Sequence, residues 1–144
     1  MIEYRGKTAL VTGGASGIGK ALAQALKARG ATVIVADVNE VNLKSAAAEL
    51  GPGTHMIACD LADPAAPARL LDQAYAATGR LDLICSNAGI GHRRRVAKEK
   101  FDEAELKRLF EVNLFAGLRL AQLYLEKLTA TKAHGRILFT ASEN

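Results

Sequence analysis

Cysteine is scarce in this 144-residue chain, where only Cys59 and Cys85 occur. Each falls in an apolar run that reads as a buried strand. They are expected to be small core residues in a reducing compartment, not a disulfide or a metal pair. The histidines, His55, His92 and His134, show no metal-ligand spacing, so no metal is assigned. No apolar run approaches the length needed to span a membrane, and residues 1–5 lack the apolar core of a signal peptide. A cytoplasmic setting without a membrane partner is the expectation. Charge of one sign is also in short supply. The 19 basic groups against 15 acidic ones leave a net charge of +4, well short of the basic stripe of a nucleic-acid binder. The densest basic run, Arg93-Arg94-Arg95, has no interleaved aromatic residues for base stacking and reads as a solvated loop.

What is present is a strand–helix alternation with enough apolar residues, 49%, for one real core. Strands are expected over Lys7–Thr12, Thr32–Asp37, His55–Asp60, Leu81–Asn87 and Gly135–Ala141, each apolar or β-branched. Helices are expected between them. One runs from Ile18 to Arg29 and closes at Gly30, and a second is capped by Asn39 and runs to about Leu50. A third is capped by Asp63, with Pro64 in its first turn, and closes at Gly79. A long helix from Asp102, which with Glu105 resembles a capping box, runs to about Leu128. Helical crossovers of this length imply an α/β fold, a doubly wound parallel sheet in the order 3-2-1-4-5. Ligands of such sheets bind at the C-terminal ends of the strands.

Those ends carry the unusual residues. The first strand runs into Thr12-Gly13-Gly14-Ala15-Ser16-Gly17-Ile18-Gly19. Glycines there let the backbone turn tightly and approach a pyrophosphate, while the next helix turns its free N–H groups and positive end toward it. The spacing Gly13-x-x-x-Gly17-x-Gly19, led by a threonine, resembles the NAD-dependent, non-extended type of the short-chain dehydrogenase/reductase (SDR) family. Residues 1–144 would then be an NAD(P)-binding Rossmann domain, the N-terminal part of a short-chain dehydrogenase domain. Asp37 closes the second strand, where a carboxylate accepts hydrogen bonds from the adenosine ribose and repels a 2′-phosphate. Neither Ser16 nor Val38 adds a cation for that phosphate, so NAD is expected over NADP. The plainer reading of Asp37 is a solvated residue starting a turn.

The resemblance extends along the chain. Asp60-Leu61 is similar to the family's adenine contact, in which the carboxylate meets the exocyclic amine. An aspartate capping the next turn is the equal alternative. Asn87-Ala88-Gly89 matches a family marker in which small residues let the backbone pass the cofactor and the Asn side chain ties neighbouring strands together. Asn113, a weak helix former between apolar neighbours, matches the family's catalytic asparagine, which holds a water in the proton relay. Ser142 matches the serine that donates to the substrate carbonyl or forming alkoxide.

The family's chemistry also needs a tyrosine followed four residues later by lysine. Tyr4, Tyr75 and Tyr124 are followed at that distance by Thr8, Gly79 and Leu128. The strand at 135–141 carries large apolar groups on both faces and reads as interior, covered on both sides. Both observations lead to the expectation of a fragment, or of a domain completed by a partner. The resemblance implies an oxidoreductase moving a hydride between NAD and an alcohol or carbonyl compound. The alternative is a non-catalytic NAD-binding module. From Leu106 to Leu128 the apolar residues of the long helix, including Leu114, Phe115, Leu118, Leu120, Leu123 and Leu125, cover more than one stripe, which predicts a homo-oligomer, dimer or tetramer.

Overall fold

The computed structural model describes residues 4–91 and 102–142; His92 and the arginines at 93–95 lie outside the described residues. Strands β1 (Thr8–Thr12), β2 (Thr32–Asp37), β3 (Thr54–Ala58), β4 (Leu83–Ser86) and β5 (Arg136–Phe139) are all parallel. Their order is 3-2-1-4-5, the doubly wound order that the sequence predicts. Helices α1 (Gly17–Ala28), α2 (Glu40–Leu50), α3 (Ala66–Thr78), α4 (Glu103–Phe110) and α5 (Ala116–Thr131) complete the element list, with a π-helical turn at Glu111–Phe115 joining the last two.

The inner strands β1, β2 and β4 are mostly apolar because the sheet has a core on each face there. The period of two sends Leu10, Ile34 and Ile84 to one side, against Leu70, Leu71, Leu120 and Tyr124. Ala9, Val11, Val33, Val35 and Cys85 go to the other, against Ala23, Leu26, Leu43 and Leu50. The register places Leu10 level with Ile34 on one side and Ile84 on the other, a continuous apolar row across three strands. Each such buried Leu or Val stabilises the fold by about 1.5–3 kcal/mol. Tyr124 lies in the first core with its hydroxyl donating to the carbonyl of Leu81 at 2.8 Å. Burial pushes its phenol far above the ordinary tyrosine range.

Caps account for most helix ends. Asn39 Oδ1 accepts from Asn42 N at 3.0 Å, and Gly30 takes the left-handed conformation after α1 (φ +87°). Asp102 Oδ1 accepts from Ala104 N at 3.0 Å and Glu105 N at 3.2 Å.

The third helix departs from expectation. It begins at Ala66, with Pro67 and not Pro64 in its first turn. Asp63 instead closes a local turn, its Oδ1 accepting from Ala65 N at 2.9 Å and its carbonyl from Ala66 N at 2.9 Å. A short polar side chain that bonds backbone two residues on competes with helix at that point.

The long helix is interrupted by the π turn, in which Ala116 N–H reaches back to the Glu111 carbonyl. β3 ends at Ala58, so Cys59 lies beyond the strand, half-buried, whereas Cys85 is buried within β4. The fifth strand reads from its sequence as one that needs cover on both faces, and among the described residues nothing supplies both covers. β5 stands at the sheet edge, with Leu138 49% and Phe139 50% exposed.

Candidate cofactor cleft

The C-terminal ends of β1, β2 and β4 and the loop after β3 open onto one cleft of about 350 Å³. Its lining includes Gly13, Ser16, Gly17, Ile18, Gly19, Asp37, Asp60, Leu61, Asn87, Ala88 and Gly89, residues singled out from the sequence and here brought together. Asn113 and Ser142 are not in the lining.

The β1–α1 turn makes the floor. Gly13 (φ +61°) and Gly17 (φ +52°) take the left-handed conformation that other residues adopt only under strain. A Cβ on Gly13 would stand 2.8 Å from the Ala88 Cα. One on Gly19 would meet the Gly13 carbonyl oxygen and lie 2.6 Å from Asn87 Nδ2. The turn, the Asn-Ala-Gly segment and the start of α1 therefore touch with no room for side chains. Ser16 makes no side-chain cap and the first turn of α1 carries no acid. Its leading N–H groups and positive dipole end are left to an anion.

Asp37 and Asp60 form the acidic part of the wall. Asp37 Oδ2 accepts from Ala15 N at 3.2 Å and Oδ1 from Asn39 N at 3.0 Å, which steadies the carboxylate at the end of β2. Asp60 both turns the chain and lines the cleft: Oδ1 accepts from Ala62 N at 3.0 Å, and Arg108 of α4 faces the carboxylate at 3.3 Å. Each aspartate holds a local turn and also lines the cleft. Beside them the half-buried Cys59 has its thiol pushed up by burial.

Asn87 stitches three strands. Its backbone N–H donates to Thr12 Oγ1 at 3.0 Å and its Nδ2 to the Thr12 carbonyl at 3.2 Å, while its Oδ1 accepts from Thr140 Oγ1 at 3.0 Å. Thr12 Oγ1 also accepts from Ala88 N at 3.1 Å. This buried hydroxyl orients the whole Asn-Ala-Gly segment.

Asn113 sits in the π turn and spends its amide on the backbone of Ile90. Oδ1 accepts from Ile90 N at 2.8 Å and Nδ2 donates to the Ile90 carbonyl at 2.9 Å. A polar residue in an apolar helical context is thereby explained by pairing across to the loop after β4. Ser142 lies exposed three residues past the end of β5, and Thr140 of the same segment lines the cleft instead. Sequence reasoning also passed over Arg108, Val112 and Ile90. Val112 adjoins the Asn113 position, a signal that was available; Arg108 carried none beyond a helical charge.

The model of the family described as short chain dehydrogenase matches residues 7–144. The chain belongs to the short-chain dehydrogenase family. It is 37% identical over 140 residues to (+)-borneol dehydrogenase 1 of Salvia officinalis, covering 97% of this chain and 54% of the relative. To a sorbitol dehydrogenase of Cereibacter sphaeroides it is 34% identical over 141 residues, covering 96% and 53%. The chain spans about half the length of these curated relatives. Among solved structures, a 3-ketoacyl-(acyl-carrier-protein) reductase from Brucella melitensis complexed with NADH superposes with a TM-score of 0.87 at 26% identity, over 97% of this chain and 59% of that one. Among the described residues no helix is long and apolar enough to cross a membrane, and no group of three or more His, Cys, Asp or Glu is placed to hold a metal ion.

Proposed function

We propose that this chain is the NAD-binding part of an oxidoreductase acting on an alcohol or carbonyl substrate. The observation that carries the reading is the β1–α1 cradle: closely packed glycines beneath the uncapped start of α1, at the C-terminal edge of a parallel sheet, in a member of this family. The residues fit a dinucleotide. The start of α1 would take the pyrophosphate, Asp37 the adenosine ribose and Asp60 with Leu61 the adenine. When bound, the nicotinamide would accept or supply the hydride. Ser142 would hold the substrate oxygen and Asn113 would fix the loop after β4 through Ile90. That the NADH-complexed neighbour shares the fold supports a nicotinamide dinucleotide.

NAD over NADP follows from Asp37, a carboxylate that would repel a 2′-phosphate, with the apolar Val38 next to it. Asp37→Ala should therefore narrow the preference for NAD by about tenfold in titrations of both cofactors. An unchanged ratio removes the ribose assignment. Two free thiols, Cys59 and Cys85, suit a cytoplasmic setting.

Phe110, Leu114, Phe115, Leu118 and Leu125 along α4, the π turn and α5 are between 41% and 63% exposed, and a second copy of the chain would cover them. A monodisperse monomer at micromolar concentration would overturn that part of the reading. The decisive experiment follows NADH formation with a panel of secondary alcohols, using the full-length protein and its Ser142→Ala variant. Turnover should fall in the variant by about 100-fold or more while NAD affinity stays within about twofold. NAD binding without turnover on any alcohol or ketone would instead favour the non-catalytic module.

A further inference from the structure

At one end of the cleft the wall changes character. Leu61 (7% exposed) and Val112 (8%) are buried apolar residues, and Asp60 and Arg108 stand next to them as an ion pair. Arg108 lies one turn before Val112, so the same helical face contributes both. The guanidinium meets the carboxylate as a fork with one shared tine: Nη2 is 3.3 Å from both Oδ1 and Oδ2, and Nη1 is 3.3 Å from Oδ2. It joins α4 to the loop after β3, two segments that are 48 residues apart in sequence.

The pair does little for the fold. Its side chains are 48% and 45% exposed, and such pairs are screened by solvent. What the fork does is fix the plane of the Asp60 carboxylate, which Ala62 N–H holds from the other side. A carboxylate has about four acceptor sites, and Ala62 N–H with the three guanidinium contacts occupies them, so a further donor would take the place of the contact that Nη2 shares between the two oxygens. An apolar slot ending in an oriented acceptor suits a flat heteroaromatic ring bearing an amine.

We propose that Arg108 is a positioning residue for the adenine of the dinucleotide, acting through Asp60. The inference rests on the dinucleotide reading given above. Covered by the base, the pair would lose its solvent screening, so its orienting effect would grow on binding. The amino group of adenine then becomes a point of discrimination. Nicotinamide hypoxanthine dinucleotide, in which that amine is a carbonyl oxygen, would present an acceptor to an acceptor.

The test is titration of NAD and of nicotinamide hypoxanthine dinucleotide into the full-length protein and its Arg108→Met and Arg108→Lys variants, together with their melting temperatures. The wild type should favour NAD. Arg108→Met should weaken NAD about tenfold, leave the hypoxanthine analogue within about twofold, and leave the melting temperature unchanged. Arg108→Lys should recover part of the preference, since it keeps the charge and loses the fork. Equal losses for both dinucleotides, no loss for either, or tighter NAD binding in Arg108→Met would each overturn the proposal. A wild type that binds both dinucleotides equally removes the Asp60–amine contact and this proposal with it, while leaving the dinucleotide reading intact. A wild type that binds neither removes the dinucleotide reading itself.

Discussion

Asp82 and Asn87 sit five residues apart at opposite ends of β4, and each ties β1 to β5 through the middle of the sheet. At the N-terminal end, Asp82 donates its N–H to the Thr8 carbonyl, accepts from Arg136 N, and takes Thr8 N on its carboxylate at 2.9 Å. Lys7 and Arg80 complete its surroundings. At the C-terminal end, Asn87 does the equivalent work with a neutral amide, donating to Thr12 and accepting from Thr140. The N-terminal end uses a charge and has cations at hand to match it. The end facing the cleft uses an uncharged group, beside a turn whose N–H donors suit an anion. A carboxylate at position 87 would stand against the Thr12 and Gly13 carbonyls and oppose any phosphate bound at α1. The same mechanical task is thus solved in two ways, according to what must come near.

The largest expected effect comes from disturbing the cleft end where the backbone packs most tightly. In Gly19→Ala the new methyl would meet the Gly13 carbonyl and the Asn87 amide, so the turn must open. NAD affinity should fall toward about 100-fold, with a melting temperature that drops as well. Retained affinity in a calorimetric titration would show that the turn has slack and that the contrast between the two ends is weaker than drawn. Asn87→Asp is the sharper probe. It keeps the acceptor for Thr140 and loses the donor to Thr12, which should weaken NAD by about tenfold or more and cost about 1–3 kcal/mol in chemical denaturation. If the variant binds NAD as the wild type does, the neutrality of residue 87 has no bearing on the ligand.

The comparison also shows what a sequence can disclose. Strand order, both cores and the glycine cradle were legible because they follow from period, crossover length and backbone conformation, which local residues control. The lining at Asp37, Asp60 and Asn87 was legible because residues at the ends of parallel strands share an edge. What escaped depends on distances between elements. Asp63 reads as an N-cap, yet its own turn delays α3 to Ala66. The π turn has no periodic signature, and it is what carries Asn113 to the Ile90 backbone. Thr140 was overshadowed by Ser142 because the end of β5 is decided by its register with Ser86, not by its own residues. Arg108 is a helical arginine until the loop after β3 is placed beside it.

The smallest effect belongs to the N-terminal end of β4, and its pH dependence identifies its source. Burial raises the Asp82 carboxyl, but Arg80, the Thr8 amide and Lys7 together outweigh that and hold it below the ordinary carboxylate range. A carboxyl lowered in the folded state contributes its stability above the unfolded value, about 4, and loses it as pH falls through the folded value. Asp82→Asn removes the charge and keeps an oxygen for Thr8 N, so it should cost about 1 kcal/mol near neutral pH, since Arg80 and Lys7 are themselves half exposed. NAD affinity should not change, because Asp82 is at the far end of β4 from the cleft. The stability gap between wild type and variant should shrink once the pH drops below about 4 and close below the folded value. A gap that persists undiminished into that acid range would mean that Asp82 acts through geometry and not charge, and the division of labour between the two ends of β4 would fail.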